Sequence, residues 1–163
     1  MTEPQRLFLV QARTDFEVFK LLCKQSGLPE CHALHYLQMA TELLAKAHAW
    51  RNGPPPESHR ALVPFLQGLS HNRKAQKQLG FERLNENWRS LIKKSLSFAD
   101  RIQQLAPALA DNGPNPEYPW PRAVPRTAPA EHRFEIWQEL QTGPGRQFIK
   151  LIGNLFKDAD TFL

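Results

Sequence analysis

At 163 residues, 41% apolar and 23% charged, the chain can bury the core of a single domain, which excludes a wholly disordered protein. No apolar run approaches the roughly 18 residues of a membrane-spanning helix, and MTEPQRLFLVQAR has an early acid and too short an apolar run for an export signal. The net charge of +5 is uneven, since residues 1–105 hold 15 Lys/Arg against 9 Asp/Glu and the excess is densest between Arg73 and Arg101; an anionic partner such as RNA or a nucleotide is therefore allowed.

Leu7, Phe8, Leu9 and Val10 run together and read as a short strand or extended arm. Thr14 stands three residues before Glu17, the spacing of a capping box, and predicts a first helix from about Asp15 to Gln25, stopped by Gly27. Cys23 and Cys31 are the only cysteines; without an export signal they read as reduced, with the cytoplasm as the expected location. The second helix, from about Cys31 to Asn52, is the longest uninterrupted helical pattern in the first half. Ala33, Tyr36, Leu37, Ala40, Leu43, Leu44, Ala47 and Trp50 recur at steps of three and four, and Gly53 with Pro54, Pro55 and Pro56 ends the pattern.

A third helix is expected over Glu57–Leu69, then a basic stretch to Gly80 that forms a short helix with a loop. The stripe Leu84, Trp88, Leu91, Ile92, Leu96, Ala99, Ile102 and Leu105 predicts a long helix to about Leu109. Residues 111–130 carry six prolines yet also Tyr118, Trp120 and Val124, which predicts an ordered, extended loop laid over the helices rather than a linker. A helix resumes near Glu131 or His132, Gly143-Pro144-Gly145 breaks it, and a last one covers about Arg146–Phe156. The fold expected is all-α: a single-domain up-and-down bundle of five or six helices.

Little in the chain points to metal or cofactor chemistry. Cys31, His32, His35 and His48 lack any CxxC or HExxH companion, and helical spacing puts His48 far along the axis, so they read as packing or surface residues. Glu42 and Lys46 have the spacing and order of a helix-surface ion pair. Ser58 can cap the third helix, or His59 can reach across to the second. Trp120, Tyr118 and Arg122 offer stacking rings and a cation for a base or single-stranded RNA, against the plainer role of pinning the loop.

Thr14-Asp15-Phe16, then Gln38…Glu42…Lys46-Ala47, then Ser58-His59 together resemble the HEPN (higher eukaryotes and prokaryotes nucleotide-binding) family of all-helical domains, over about Thr14–Leu69. Glu117-Tyr118-Pro119-Trp120 is similar to the Arg-Tyr-Pro segment that many members carry; Glu117 replaces the arginine, and Leu43 stands where a lysine often follows the glutamate. The resemblance implies a binding or accessory module of a prokaryotic system whose partner is a nucleotide, RNA or another protein, and it makes a homodimer an expectation. Lys46, Arg51, His59, Tyr118, Trp120 and Arg122 are then the candidate ligand contacts. The rival it implies is a metal-independent ribonuclease, because catalytic members use an arginine and a histidine four to six residues apart. Arg126 and His132, with five residues between them, match that spacing; the chemistry needs a group to move the 2′-hydroxyl proton and a cation for phosphorane charge. A purely structural interaction domain is the third reading.

Overall fold

The computed structural model describes residues 1–55, 57–111, 113–120 and 126–162. All regular structure among them is helical: α1 (Glu3–Leu22), α2 (Glu30–Ala49), α3 (Leu62–Leu69), α4 (Arg73–Gln78), α5 (Asn85–Gln103), α6 (Glu135–Leu140) and α7 (Gly143–Phe162), with 3-10 turns at Trp50–Asn52 and Pro129–Glu131. The all-α expectation holds. Several boundaries move, each for a local reason.

The N-terminal apolar run is helix, not strand. A short apolar run does not distinguish the two, and here the cap decides. The Thr2 side chain accepts from Gln5 N, while the Gln5 side chain accepts from Thr2 N at 2.8 Å. The capping box thus belongs to Thr2 and Gln5, and Thr14 lies mid-helix with its hydroxyl donating to the Val10 carbonyl at 3.0 Å. Leu9, Ala12, Phe16 and Phe19 form the buried stripe of α1. Gly27 then takes φ +85°, a backbone position that favours glycine, and turns the chain into α2.

The third helix begins at Leu62 rather than Glu57. Ser58 Oγ accepts from Arg60 N at 3.0 Å, a local turn that competes with helix, and His59 points toward α2. At the other end of the chain, Gly143-Pro144-Gly145 starts α7 instead of breaking a helix. Proline is tolerated in a first turn, where its missing N–H has no partner to lose. Gly145 is buried where a Cβ would collide with the Glu139 carbonyl and the Leu140 backbone, so α6 and α7 meet only because this residue lacks a side chain. The helix expected near Glu131 starts later, at Glu135, because His132 to Phe134 run extended. Helix α5 stops at Gln103, short of Leu109 and of Pro107.

Helices α1 and α2 pack antiparallel and share the most extensive interface in the molecule. Leu34, Leu37, Ala40, Leu44 and Ala47 of α2 are fully buried. Helix α7 lies antiparallel to α1: Phe16 stacks on Phe156, and Arg13 reaches the Phe156 carbonyl and Asp160. Helices α3 and α5 also run antiparallel. Gln103 Oε1 accepts from Val63 N, and the indole N–H of Trp88, itself fully buried, donates to the Leu69 carbonyl at 3.1 Å. No helix among the described residues is long and apolar enough to cross a membrane.

Candidate functional site

The stripe that buries α2 also carries a polar row at Gln38, Glu42 and Lys46, one turn apart on the same side. Glu42 is the hub. Gln38 Nε2 donates to Glu42 Oε2 at 2.7 Å, Lys46 Nζ donates to Oε1 at 2.6 Å, and His59 Nδ1 lies 2.9 Å from Oε2. With the carboxylate ionised, the His59 proton must sit on Nδ1. Burial pushes the Glu42 carboxyl up, but the hydrogen bonds from Lys46 and His59 outweigh it and hold it below the ordinary carboxylate range. Glu42 is 8% exposed, Lys46 15% and His59 38%. Gln38 Oε1 is buried and accepts no hydrogen bond among the described residues. Every strong donor in this row is turned inward onto one acid.

A second cluster lies toward the N-terminal end of α2. The Glu117 carboxylate sits 3.5 Å from His35 Nδ1. Asp15, buried on α1, accepts from Gln11 Nε2 at 2.8 Å; burial raises its carboxyl, with Gln11 and the nearby His35 opposing. Asn115 Oδ1 accepts from the backbone N–H of both Glu117 and Tyr118, and so fixes the loop that carries them. Glu30 accepts from Phe134 N and ties the far side of the loop to the start of α2.

The residues proposed as ligand contacts from the sequence therefore divide. Lys46 and His59 join on Glu42. Arg51 is exposed and lies against His48, Nη1 to Nε2 at 3.3 Å. His48 is held below its ordinary range by burial and, less, by that guanidinium. Tyr118 is 62% exposed, and its neighbour Glu117 meets α2 at His35, about 16 Å along the helix axis from Lys46. Trp120 is buried and makes edge contacts with His132 and Phe134, so it pins the loop. Arg122 lies outside the described residues. Of the ribonuclease pair, His132 has its ring edge-on to Trp120 and Phe134, at centroid distances of 5.3 and 4.7 Å. Arg126 is exposed, and no hydrogen bond or ion pair joins it to His132 among the described residues. No group of three or more His, Cys, Asp or Glu among the described residues is arranged to hold a metal ion.

A further concave surface lies elsewhere. A groove of about 550 Å³ runs between α5 and α7 below the end of α4. Leu79, Phe81, Leu91 and Leu151 form its floor. Lys94 on α5 and Lys150 on α7 stand at its rim with Asn87, Ser90, Gln147 and Asn154. Neither lysine is ion-paired among the described residues, and both are exposed. The size and the mix of apolar floor with a few polar groups are those of a ligand site. The charge excess between Arg73 and Arg101 signalled the α5 side. Nothing in the sequence joined it to Lys150, more than fifty residues on. Comparison of the chain with family models, with curated proteins and with solved structures returns no match.

Proposed function

We propose that the protein is a non-enzymatic binding module and that its ligand is a nucleotide or single-stranded RNA held in the groove between α5 and α7. The observation that carries this reading is the pair of unpaired lysines, Lys94 and Lys150, rising from two helices over an apolar floor that includes Phe81. An aromatic edge with leucines suits a base, which is sequence-tolerant because every base has a π-face, and the two ammonium groups suit phosphate. The Gln38–Glu42–Lys46–His59 row supports the HEPN-like reading of the scaffold. Its cations are spent on Glu42 and give a ligand little to meet. The packing of His132 between two rings speaks for a binding module over a ribonuclease.

The test is fluorescence anisotropy of a labelled single-stranded RNA across salt concentrations. Two phosphate contacts give a salt slope of about −1.4, so affinity falls about sevenfold between 50 and 200 mM salt. Lys94→Glu with Lys150→Glu is expected to cost tenfold or more in affinity. Absence of binding by the wild type to RNA and to free nucleotides would overturn the reading. RNA cleavage that disappears in His132→Ala would replace it with the ribonuclease.

A further inference from the structure

A second cleft abuts the α5–α7 groove. Its volume is about 430 Å³, and Arg73, Gln76, Lys77, Glu82, Arg83 and Asn85 line it. Phe81 belongs to the groove floor and Glu82 to the cleft, so the two surfaces meet across one peptide bond in the turn between α4 and α5. That turn is firmly held. Gln76 Nε2 donates to the Phe81 carbonyl at 2.9 Å, Phe81 N donates to the Gln76 carbonyl at 2.9 Å, and Gly80 takes φ +80° between them. The Phe81 ring packs on the buried Trp88 at a centroid distance of 5.6 Å. Asn72 Oδ1 accepts from Ala75 N at 3.0 Å and caps α4, which sets Arg73 in its first turn. The charges of the cleft are only partly spent. Glu82 is the one acid among these lining residues, and Lys77 holds it at 3.2 Å. Arg73 and Arg83 are exposed, and their side chains have no hydrogen-bond or ion partner among the described residues. A guanidinium fork matches phosphate oxygens in shape as well as charge.

We propose that the ligand is a single strand of RNA several nucleotides long, laid from the α5–α7 groove across the Phe81 turn into the Arg73–Arg83 cleft, and not a free nucleotide. This rests on the groove being the binding site. The spacing of the cations selects the strand. Asn85 in the cleft and Lys94 at the groove rim lie about 14 Å apart along the axis of α5. The four unpaired cations thus stand as two separate pairs, Lys94 with Lys150 and Arg73 with Arg83. The phosphates of a free nucleotide are joined directly to one another and serve one pair. A strand carries one phosphate per nucleotide and serves both, with a base over Phe81 between them. The length required is about four nucleotides, the lower end of the range for basic channels with aromatic floors. The rigid turn favours this use, because the two pairs keep their separation without any ordering cost when the strand arrives.

The experiment measures fluorescence anisotropy of a labelled RNA trinucleotide and a labelled RNA decanucleotide with the full chain across salt concentrations. Added length raises affinity simply by offering more registers, so the salt slope is the readout. The trinucleotide fills the groove alone and gives a slope of about −1.4, whereas the decanucleotide meets all four cations and gives about −2.8. Arg73→Gln with Arg83→Gln, both at exposed positions, returns the decanucleotide slope to about −1.4 and costs it about tenfold in affinity, while the trinucleotide stays within about twofold of wild type. That unchanged trinucleotide binding also reports an intact fold. Equal slopes for the two RNAs, with both lost in Lys94→Glu with Lys150→Glu, would keep the groove and overturn the strand path. So would a double arginine variant that binds the decanucleotide as the wild type does, or one that weakens both RNAs alike. Absence of binding of either RNA to the wild type would remove the groove reading and this one with it.

Discussion

The two cationic regions of this molecule use their charge in opposite ways. Around Glu42, two cationic or proton-bearing side chains converge on one buried carboxylate, and the site is electrically closed. Around the α5–α7 groove, two lysines stand over an apolar floor with no ion partner among the described residues, and the site is open. Charge count alone does not separate them, since each holds two basic groups. The difference is where the neutralising partner comes from: from the fold itself in the first case, and from outside in the second. A closed cluster is read as architecture and an open one as a place to bind.

The sharpest way to break that comparison is Glu42→Ala. It leaves Lys46 half-buried without an anion and His59 without its acceptor, and breaking such a pair costs on the order of 3 kcal/mol. Chemical denaturation should show the loss, while RNA affinity of the folded fraction stays at the wild-type value. Wild-type stability in the variant would mean that the Glu42 cluster does not hold the fold, and the distinction would fail.

Lys94→Glu with Lys150→Glu is the reciprocal case. Tenfold in affinity is about 1.4 kcal/mol of binding free energy, and stability should stay within about 0.5 kcal/mol of wild type because both residues are exposed and unpaired. A large fall in stability would move the groove into the architectural class.

The smallest effect is the pH dependence, which resolves the closed region into its parts. The Glu42 carboxyl is depressed in the folded state, so its contribution is complete at neutral pH and is lost as pH falls through the carboxylate range. His48 is also depressed, by burial, so the folded state resists its protonation and stability starts to fall below about pH 6.5. Asp15 has the opposite sign: burial raises its carboxyl, and protonation on acidification relieves the cost of a buried charge. Thermal melts from about pH 7 to about 2.5 should show a small early decline that His48→Gln abolishes, then a steeper one, setting in below about pH 4.5, that Glu42→Gln abolishes. An early decline unchanged in His48→Gln would remove that histidine from the account.

Much of this was legible in the residues. The period of three and four gave α2 and the start of α5 to within a few positions, because long amphipathic stripes carry their own signal, while the end of α5 falls at Gln103, before the expected Leu109. The spacing of Glu42 and Lys46 announced their pair, and His59 reaching across to α2 was one of two readings of Ser58-His59. What stayed hidden depended on choices between equal local signals. Two capping-box spacings were present, at Thr2 and Thr14, and the burial of Leu9 and Ala12, upstream of Thr14 on the same stripe as Phe16 and Phe19, goes with the first. Gly143-Pro144-Gly145 looks the same as a breaker or as the opening of a helix, and the close approach of α6 decides. Lys150 could not be joined to Lys94 because their meeting is a property of how α5 and α7 dock, not of either segment.

The order of assembly also follows from the architecture. Helices α1 and α2 are joined by a short turn at Gly27 and form the largest interface, so their contacts close a small loop and lose little chain entropy. The contacts of α7 with α1 close nearly the whole chain. The hairpin of α1 and α2 is therefore the natural nucleus, and α7 the last element to dock. A chain emerging from synthesis completes this hairpin long before α7 exists, so the face of α1 that Phe156 covers stays open to solvent until the last helix is made.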